Sequence, residues 1–272
     1  MKKTLQIIGW TLLAMMAYYM IEVIFNVVFR YLIQMADAEK HSQYILYANI
    51  ALKMVIFIVF GCWYRVREHK RNFQCSFWEK CNARMIGCLV AIGLLGQYAV
   101  GFMMAVVRMI CPSIFVNYDK IVQAVSLEQG SPVWMIFLVV VWGPIAEEVL
   151  FRGVIYGKLR EGFTVTQAAL ISGVIFGMYH KNLVQGIYAS LFGMLLAYLF
   201  EKTQSLWGAV ITHMMFNLSS YLMPYLQQIL ISLPSLLFLL FEVLSIAVVI
   251  FAVLALKKYP NRYDGMGKTI LK

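Results

Sequence analysis

Charge is scarce in this chain of 272 residues: only 13% are Asp, Glu, Lys or Arg, while 62% are hydrophobic. A soluble domain carries about 25% charged residues, so an ordinary water-soluble fold is excluded. A disordered chain needs the opposite bias and is excluded too. Histidine is rare, with four copies, and the five cysteines are odd in number and form no C-x-x-C pair. That pattern gives no metal-ribbon or disulfide framework. The H-E-x-x-H zinc signature and the G-x-S-x-G nucleophile turn are both missing. No repeat and no low-complexity tract is present.

What the chain does have is long apolar blocks. A membrane helix needs about 20 largely apolar residues. Eight blocks qualify as candidates: Leu5 to Phe29, Tyr44 to Tyr64, Met85 to Met109, Val133 to Gly157, Thr166 to Tyr179, Leu183 to Phe200, Ser205 to Leu222 and Ser235 to Leu256. The fifth is the shortest. The expected fold is all-α and polytopic, with about eight transmembrane helices. The first block is too long for a signal-peptide core and is read as an uncleaved span. Glu22 and Asn26 within it are expected to face other helices, because lipid exposure is costly.

The net charge of +10 fits a membrane protein better than a nucleic-acid binder, because basic residues collect in cytoplasmic loops. With both termini cytoplasmic, most of the 23 basic residues fall inside. They include Lys2, Lys3, the cluster from Arg65 to Arg84, Lys158, Arg160, Lys202 and the tail after Leu256. Only an even number of spans keeps the basic tail on that side. The Arg65 to Arg84 stretch mixes basic and aromatic residues and reads as an interfacial amphipathic segment. Ile110 to Ser131 reads as an outer loop with some helical pattern. The expected location is a plasma membrane, bacterial in type.

Charge inside a span is expensive and normally functional. The fourth block carries Glu147, Glu148 and Arg152. Glu148 and Arg152 are four residues apart and share a helix face, so they can pair. Glu147 lies about 100° round the helix and is left without the arginine. One acid is then neutralised and its neighbour is free to titrate, which is how one site separates structural and catalytic carboxylates. Pro144 removes a backbone hydrogen bond and should kink the span or start a new half-helix. A purely structural clasp is the alternative for the Glu-Arg pair.

The fifth block ends on Phe176-Gly177-Met178-Tyr179-His180. The seventh holds His213 and Asn217, again four apart on one face. Two acids, two histidines and an asparagine in three apolar spans each need a partner in hydrocarbon, and the cheapest partners are one another. A base, a proton carrier and amide donors are the parts of a hydrolytic site. Glu147 would take a proton from water, and His180 would position that water or pass the proton on. His213 and Asn217 would stabilise an oxyanion. The pairs Gly153/Gly157 and Gly173/Gly177 are G-x-x-x-G spacings that allow close helix packing.

E-E-x-x-x-R, F-x-x-x-H and H-x-x-x-N in that order on separate spans resemble the CPBP family, the CAAX proteases and bacteriocin-processing (Abi) enzymes. The family includes the type II CAAX prenyl endopeptidases. The resemblance runs from about Pro144 to Asn217 and includes Thr203-Gln204-Ser205-Leu206-Trp207. It implies an intramembrane endopeptidase in which Glu147 activates water with His180, while His213 and Asn217 form the oxyanion hole. Glu148 and Arg152 take supporting roles. No cofactor is expected, although the metalloprotease label of the family keeps zinc as an alternative, with Glu147, His180 and His213 as its ligands. The expected partners are the lipid bilayer and a peptide or protein substrate of CAAX-like, leader or bacteriocin type, with no nucleic acid. A non-catalytic membrane regulator or bacteriocin immunity protein of the same fold is the alternative function, and a small-solute transporter a third reading.

By segment, residues 1–131 hold the first spans, the interfacial stretch and the outer loop. Residues 132–223 hold the catalytic core, and 224–272 the last span and basic tail. Counting at about 1.5 Å per residue puts Glu147 roughly 9 Å and His213 roughly 12 Å from the inner surface, but His180 roughly 21 Å. That count favours a chamber between the fourth, fifth and seventh spans that opens to the cytoplasm, and it sets His180 apart from the other two.

Overall fold

The computed structural model describes residues 2–35, 41–70, 81–120, 132–231 and 235–260. All regular structure among them is helical. Eight long helices follow one another: α1 (Lys2–Gln34), α2 (His41–Lys70), α3 (Ala83–Ile110), α4 (Val133–Leu159), α5 (Val165–Tyr179), α6 (Leu183–Thr203), α7 (Leu206–Ile231) and α8 (Ser235–Leu256). Each expected apolar block coincides with one of them. Among the described residues, six helices (α1, α2, α3, α4, α6 and α8) are long and apolar enough to cross a bilayer. The chain is an all-helical, multi-pass integral membrane protein. Helix α5 has 15 residues, about 22 Å of rise against a hydrocarbon core of about 30 Å.

Large apolar side chains stay exposed on the outer helices, for example Met16, Met20 and Val27 on α1 and Leu244 and Phe251 on α8. In water such a surface would be an association site; in lipid it faces its own solvent.

Local chemistry sets several helix ends. Asn82 caps α3 by accepting from the Met85 N–H at 2.9 Å. Thr164 and Gln167 form a reciprocal capping box at the start of α5. Asn182 caps α6 by accepting from the Gln185 N–H at 3.0 Å.

The helices alternate in direction. At one end, Trp10 of α1 meets Trp63 of α2 and the Lys158 ammonium. Arg160 pairs with Glu201 at 3.0 Å, and Lys202 donates to the Tyr259 carbonyl at 3.0 Å. The start of α1 and the end of α8 therefore share one end of the bundle, and it is the basic end, as an even number of spans requires. At the opposite end, Lys181 pairs with Glu22 at 2.7 Å and Arg108 with Asp119 at 2.7 Å. Glu22 thus faces another element, as expected.

The small-residue pairs do what their spacing predicts. A Cβ at Gly173 or Gly177 would run into Met194, Ser190 and Gly186 of α6, and one at Gly153 or Gly157 into Tyr64 and Arg67 of α2. Arg67 donates to the carbonyls of Gly153 and Val154, the latter at 2.8 Å, locking α2 to α4.

Helix α4 does not break at Pro144. It stays helical throughout, with wide π-type turns over Phe137–Trp142 and Val149–Tyr156 on either side of a short α-helical piece, Gly143–Glu148. The Gly143 N–H reaches back five residues, to Leu138. The expected half-helix is replaced by local widening, a feature common at functional sites.

Half of the expected interfacial stretch (71–80, with Cys75), part of the expected outer loop (121–131) and the end of the tail (261–272) lie outside the described residues. The described cysteines, Cys62, Cys81, Cys88 and Cys111, are free thiols.

Candidate active site

The α-helical piece between the two π-type stretches carries both glutamates. Glu148 points into the protein and is fully buried, as is Arg152. Arg152 Nη1 donates to Glu148 Oε1 at 3.0 Å, and its Nη2 donates to the Gly193 carbonyl of α6 at 3.0 Å. The predicted clasp is present. Glu148 Oε2 and Arg152 Nε have no hydrogen-bond partner among the described residues. The Arg152 guanidinium also lies 4.7 Å from the centre of the Phe176 ring, which ties the motif phenylalanine to the clasp.

Glu147 points elsewhere, as its position on the helix requires, but it is not left alone. Lys53 of α2 donates to Glu147 Oε1 at 2.7 Å. Tyr179 of α5 donates to the same oxygen at 3.2 Å and accepts from Lys53. Glu147 is without the arginine, as expected, but a lysine arrives from a helix 94 residues away in sequence. Lys53 and Tyr179 are the site residues that sequence reasoning missed. The signal was available for Lys53, a cation in the middle of an apolar span.

His213 of α7 bridges the two glutamates. Its Nδ1 is 2.8 Å from Glu148 Oε1, and its Nε2 is 3.9 Å from Glu147 Oε2. Glu148 also accepts from Arg152, so the natural reading is a carboxylate accepting an Nδ1–H. That bond orients the ring and turns Nε2 towards Glu147. Phe176 and Phe192 pack edge-on against the imidazole.

Asn217, one turn on, answers a defect in α4. In a regular helix the Val139 carbonyl would take the Gly143 N–H, but that N–H goes to Leu138. The next residue, Pro144, has none to give. Asn217 Nδ2 fills the gap, donating to the Val139 oxygen at 2.8 Å. The amide keeps a second N–H and its carbonyl oxygen for the cavity.

His180 sits at the C-terminal cap of α5. Its Nδ1 is 3.0 Å from the Gln185 side-chain amide nitrogen. With that amide as donor, Nδ1 is an acceptor and Nε2 carries the proton of the neutral ring. Phe176 lies edge-on against this ring also, at 5.0 Å between centroids.

Glu147, His180, His213, Asn217 and Lys53 line one cavity of about 660 Å³, walled by Phe176, Phe192 and Phe216. Ligand pockets run to roughly 300–1,000 Å³. The structure thus brings the four predicted residues to a single space, His180 included. His213 stays shallower by the same count, about 10 Å from the start of α7, but Glu147 and His180 come together because α4 runs past the end assumed near Gly153 to Leu159. From there Glu147 lies about 18 Å along the helix, near the roughly 22 Å of His180 from the start of α5. The cavity extends through Gln185, Tyr118 and the exposed Ser220, residues in the half of the bundle away from the basic end.

A zinc ion does not fit these groups well. The Lys53 ammonium donates to Glu147 Oε1, and Gln185 donates to His180 Nδ1, so that the neutral His180 ring holds its proton on Nε2 and offers no lone pair to the cavity. Among the described residues, no three His, Cys, Asp or Glu side chains are grouped to hold a metal. A lysine against the would-be ligand oxygen competes with a cation.

Residues 129–219 match the family model described as Type II CAAX prenyl endopeptidase Rce1-like. Over 97 residues the chain is 36% identical to a Bacillus subtilis protein named "Putative membrane peptidase YdiL". That alignment covers 36% of this chain and 37% of the relative, so the chain spans little more than a third of that relative's length. No solved structure matches the chain. The family match contains all six motif residues from Glu147 to Asn217, and both matches support the resemblance to CPBP membrane proteases.

Proposed function

We propose that this chain is an intramembrane endopeptidase that uses Glu147 to activate water. The observation that carries the reading is the arrangement of Glu147 Oε2 opposite His213 Nε2, 3.9 Å apart on the wall of the shared cavity. A water seated against both, too close for it to lie on the line between them, would have a base on one side and a ring nitrogen on the other.

In this reading the water oxygen adds to the scissile carbonyl carbon, and its proton passes to Glu147 Oε2. The carbonyl oxygen becomes an oxyanion. His213, held by Glu148 through Nδ1, donates to it through Nε2 in the form that takes up a proton from solvent before the peptide binds and keeps it through turnover, and the free N–H of Asn217 donates beside it. His180 Nε2–H orients the water or the peptide from the α5 side. Collapse of the tetrahedral intermediate breaks the C–N bond, and Glu147 returns its proton to the leaving amine. A carboxylic acid and an amine result, the acid then loses its remaining proton to solvent, and the site is restored.

The charges support it. Lys53, Arg152, Glu147 and Glu148 sum to zero with both histidines neutral, so the site is buried without net charge in its resting form. The substrate is a peptide or protein reaching the cavity in the membrane, of CAAX-like, leader or bacteriocin-precursor type. No metal step is part of the reading.

The test uses the purified protein in lipid nanodiscs with a library of internally quenched peptides. The wild type should cleave members of the library, and Glu147→Gln, at equal abundance and with an equal melting temperature, should cleave none. Cleavage by Glu147→Gln at the wild-type rate would exclude the glutamate as base. A wild type that binds a membrane partner but cuts nothing, with Glu147→Gln equally functional in cells, would favour the regulator reading.

A further inference from the structure

We infer that Lys53 is a positioning residue for Glu147, acting from α2 with Tyr179 of α5 as its second arm. The inference rests on the reading of Glu147 as the base.

Lys53 lies midway along α2, on a helix whose buried residues include Leu46, Ala48, Leu52, Ile56 and Phe60. A lysine there is costly unless it has a partner. Its ammonium is given two: Glu147 Oε1 at 2.7 Å and the Tyr179 hydroxyl. The hydroxyl in turn donates to Glu147 Oε1 at 3.2 Å. Both donors converge on one oxygen of the carboxylate and leave the other turned to His213. A carboxylate on a rotatable stem would otherwise present either oxygen, or neither, to the water. Two anchors from two helices fix which one works.

The second effect is charge. Arg152 supplies less of it, because its guanidinium is paired directly with Glu148 and turned to the Gly193 carbonyl. The other groups near Glu147 are Tyr179 and His180 of α5, His213 of α7, and Glu148 of its own helix, with Tyr18 of α1 packed edge-on behind Tyr179. None of these is a permanent cation. The ammonium keeps the carboxylate ionised in an apolar wall, ready to accept a proton. Tyr179 is the residue just before the motif histidine, so the F-x-x-x-H helix end delivers both the His180 ring and the hydroxyl that braces the base.

The test is a pH–rate profile. Lys53→Met keeps the length of the stem and removes the charge. With the purified full-length protein and an internally quenched peptide selected by wild-type cleavage, kcat should fall about tenfold to a hundredfold while KM changes by no more than about twofold. The acidic limb of kcat should move to higher pH by about one unit. Lys53→Arg should leave that limb near its wild-type position, and Tyr179→Phe should cause a smaller loss than Lys53→Met. A folded Lys53→Met protein with the wild-type rate and profile would overturn the inference, as would one whose rate falls with the limb unmoved. If Lys53→Met does not accumulate, Tyr179→Phe decides: a raised limb supports the brace and an unchanged limb overturns it. Glu147→Gln separates the two levels. If it is inactive while Lys53→Met behaves as wild type, only the role of Lys53 fails; if it is active, the reading of the base itself fails.

Discussion

His213 Nδ1 and Arg152 Nη1 meet the same oxygen of Glu148, at 2.8 and 3.0 Å. A fully buried carboxylate therefore does two jobs at once. It neutralises an arginine that pins α4 to α6, and it aims an imidazole at the cavity. The supporting acid is what connects the fold to the chemistry.

The first prediction concerns that clasp. Glu148→Ala or Arg152→Ala strips one partner from a fully buried pair and should cost about 3–5 kcal/mol. Membrane abundance should fall along with activity for both variants. Quantitative immunoblotting of membrane fractions checks it, and wild-type abundance of both variants would remove the clasp as a structural element.

A second prediction follows from Asn217 and Val139. Asn217→Ala leaves the Val139 carbonyl without a donor beside Pro144, so stability should drop by about 1–3 kcal/mol. The loss of an oxyanion donor should lower kcat by about a hundredfold or more. Melting temperature in detergent and single-turnover rates measure the two effects separately. A change in neither would mean the asparagine is only a bystander on the wall.

Helix packing gives a third. A Cβ at Gly177 would meet Ser190 Oγ and the Gly186 carbonyl, whereas one at Gly87 meets nothing within 4 Å. Gly177→Ala should destabilise by about 1–3 kcal/mol through overpacking, and it should disturb His180 three residues on. Gly87→Ala should be neutral or stabilise by about 0.5–1 kcal/mol, as alanine does inside helices. Thermal melts of both variants, run together, check the contrast; equal melts would contradict the close approach of α5 and α6.

Metal removal is the fourth. With Lys53 against Glu147 and Gln185 against His180, a strong chelator should leave cleavage by the purified protein within about twofold of its untreated rate, since no step in the site calls on a Lewis acid. Loss on chelation with rescue by zinc would overturn this account of the donor set.

Much of this site is legible in the sequence, for a physical reason. Ionisable groups in apolar helices are few and need partners, so Glu147, Glu148, Arg152, His180, His213 and Asn217 stand out against their surroundings. Residues four apart announce shared faces, which gave the Glu148–Arg152 pair and placed both His213 and Asn217 against α4. Lys53 is equally conspicuous by charge, but its partner sits on another helix and no local spacing reveals it. Tyr179 is hidden because an aromatic residue in a span is ordinary. The depth of Glu147 was underestimated because the apolar run gives no sharp boundary between Arg152 and Leu159. The wide turns around Gly143 were also missed, since Pro144 signals a lost backbone hydrogen bond but not whether the helix breaks or widens to absorb it.

The most direct measurement is a comparison of peptides released from membranes that hold equal amounts of the wild type and the His213→Ala protein, read by mass spectrometry. The account predicts at least one processed species that is present with the wild type and disappears with the variant. Identical peptide sets from the two membranes would contradict it.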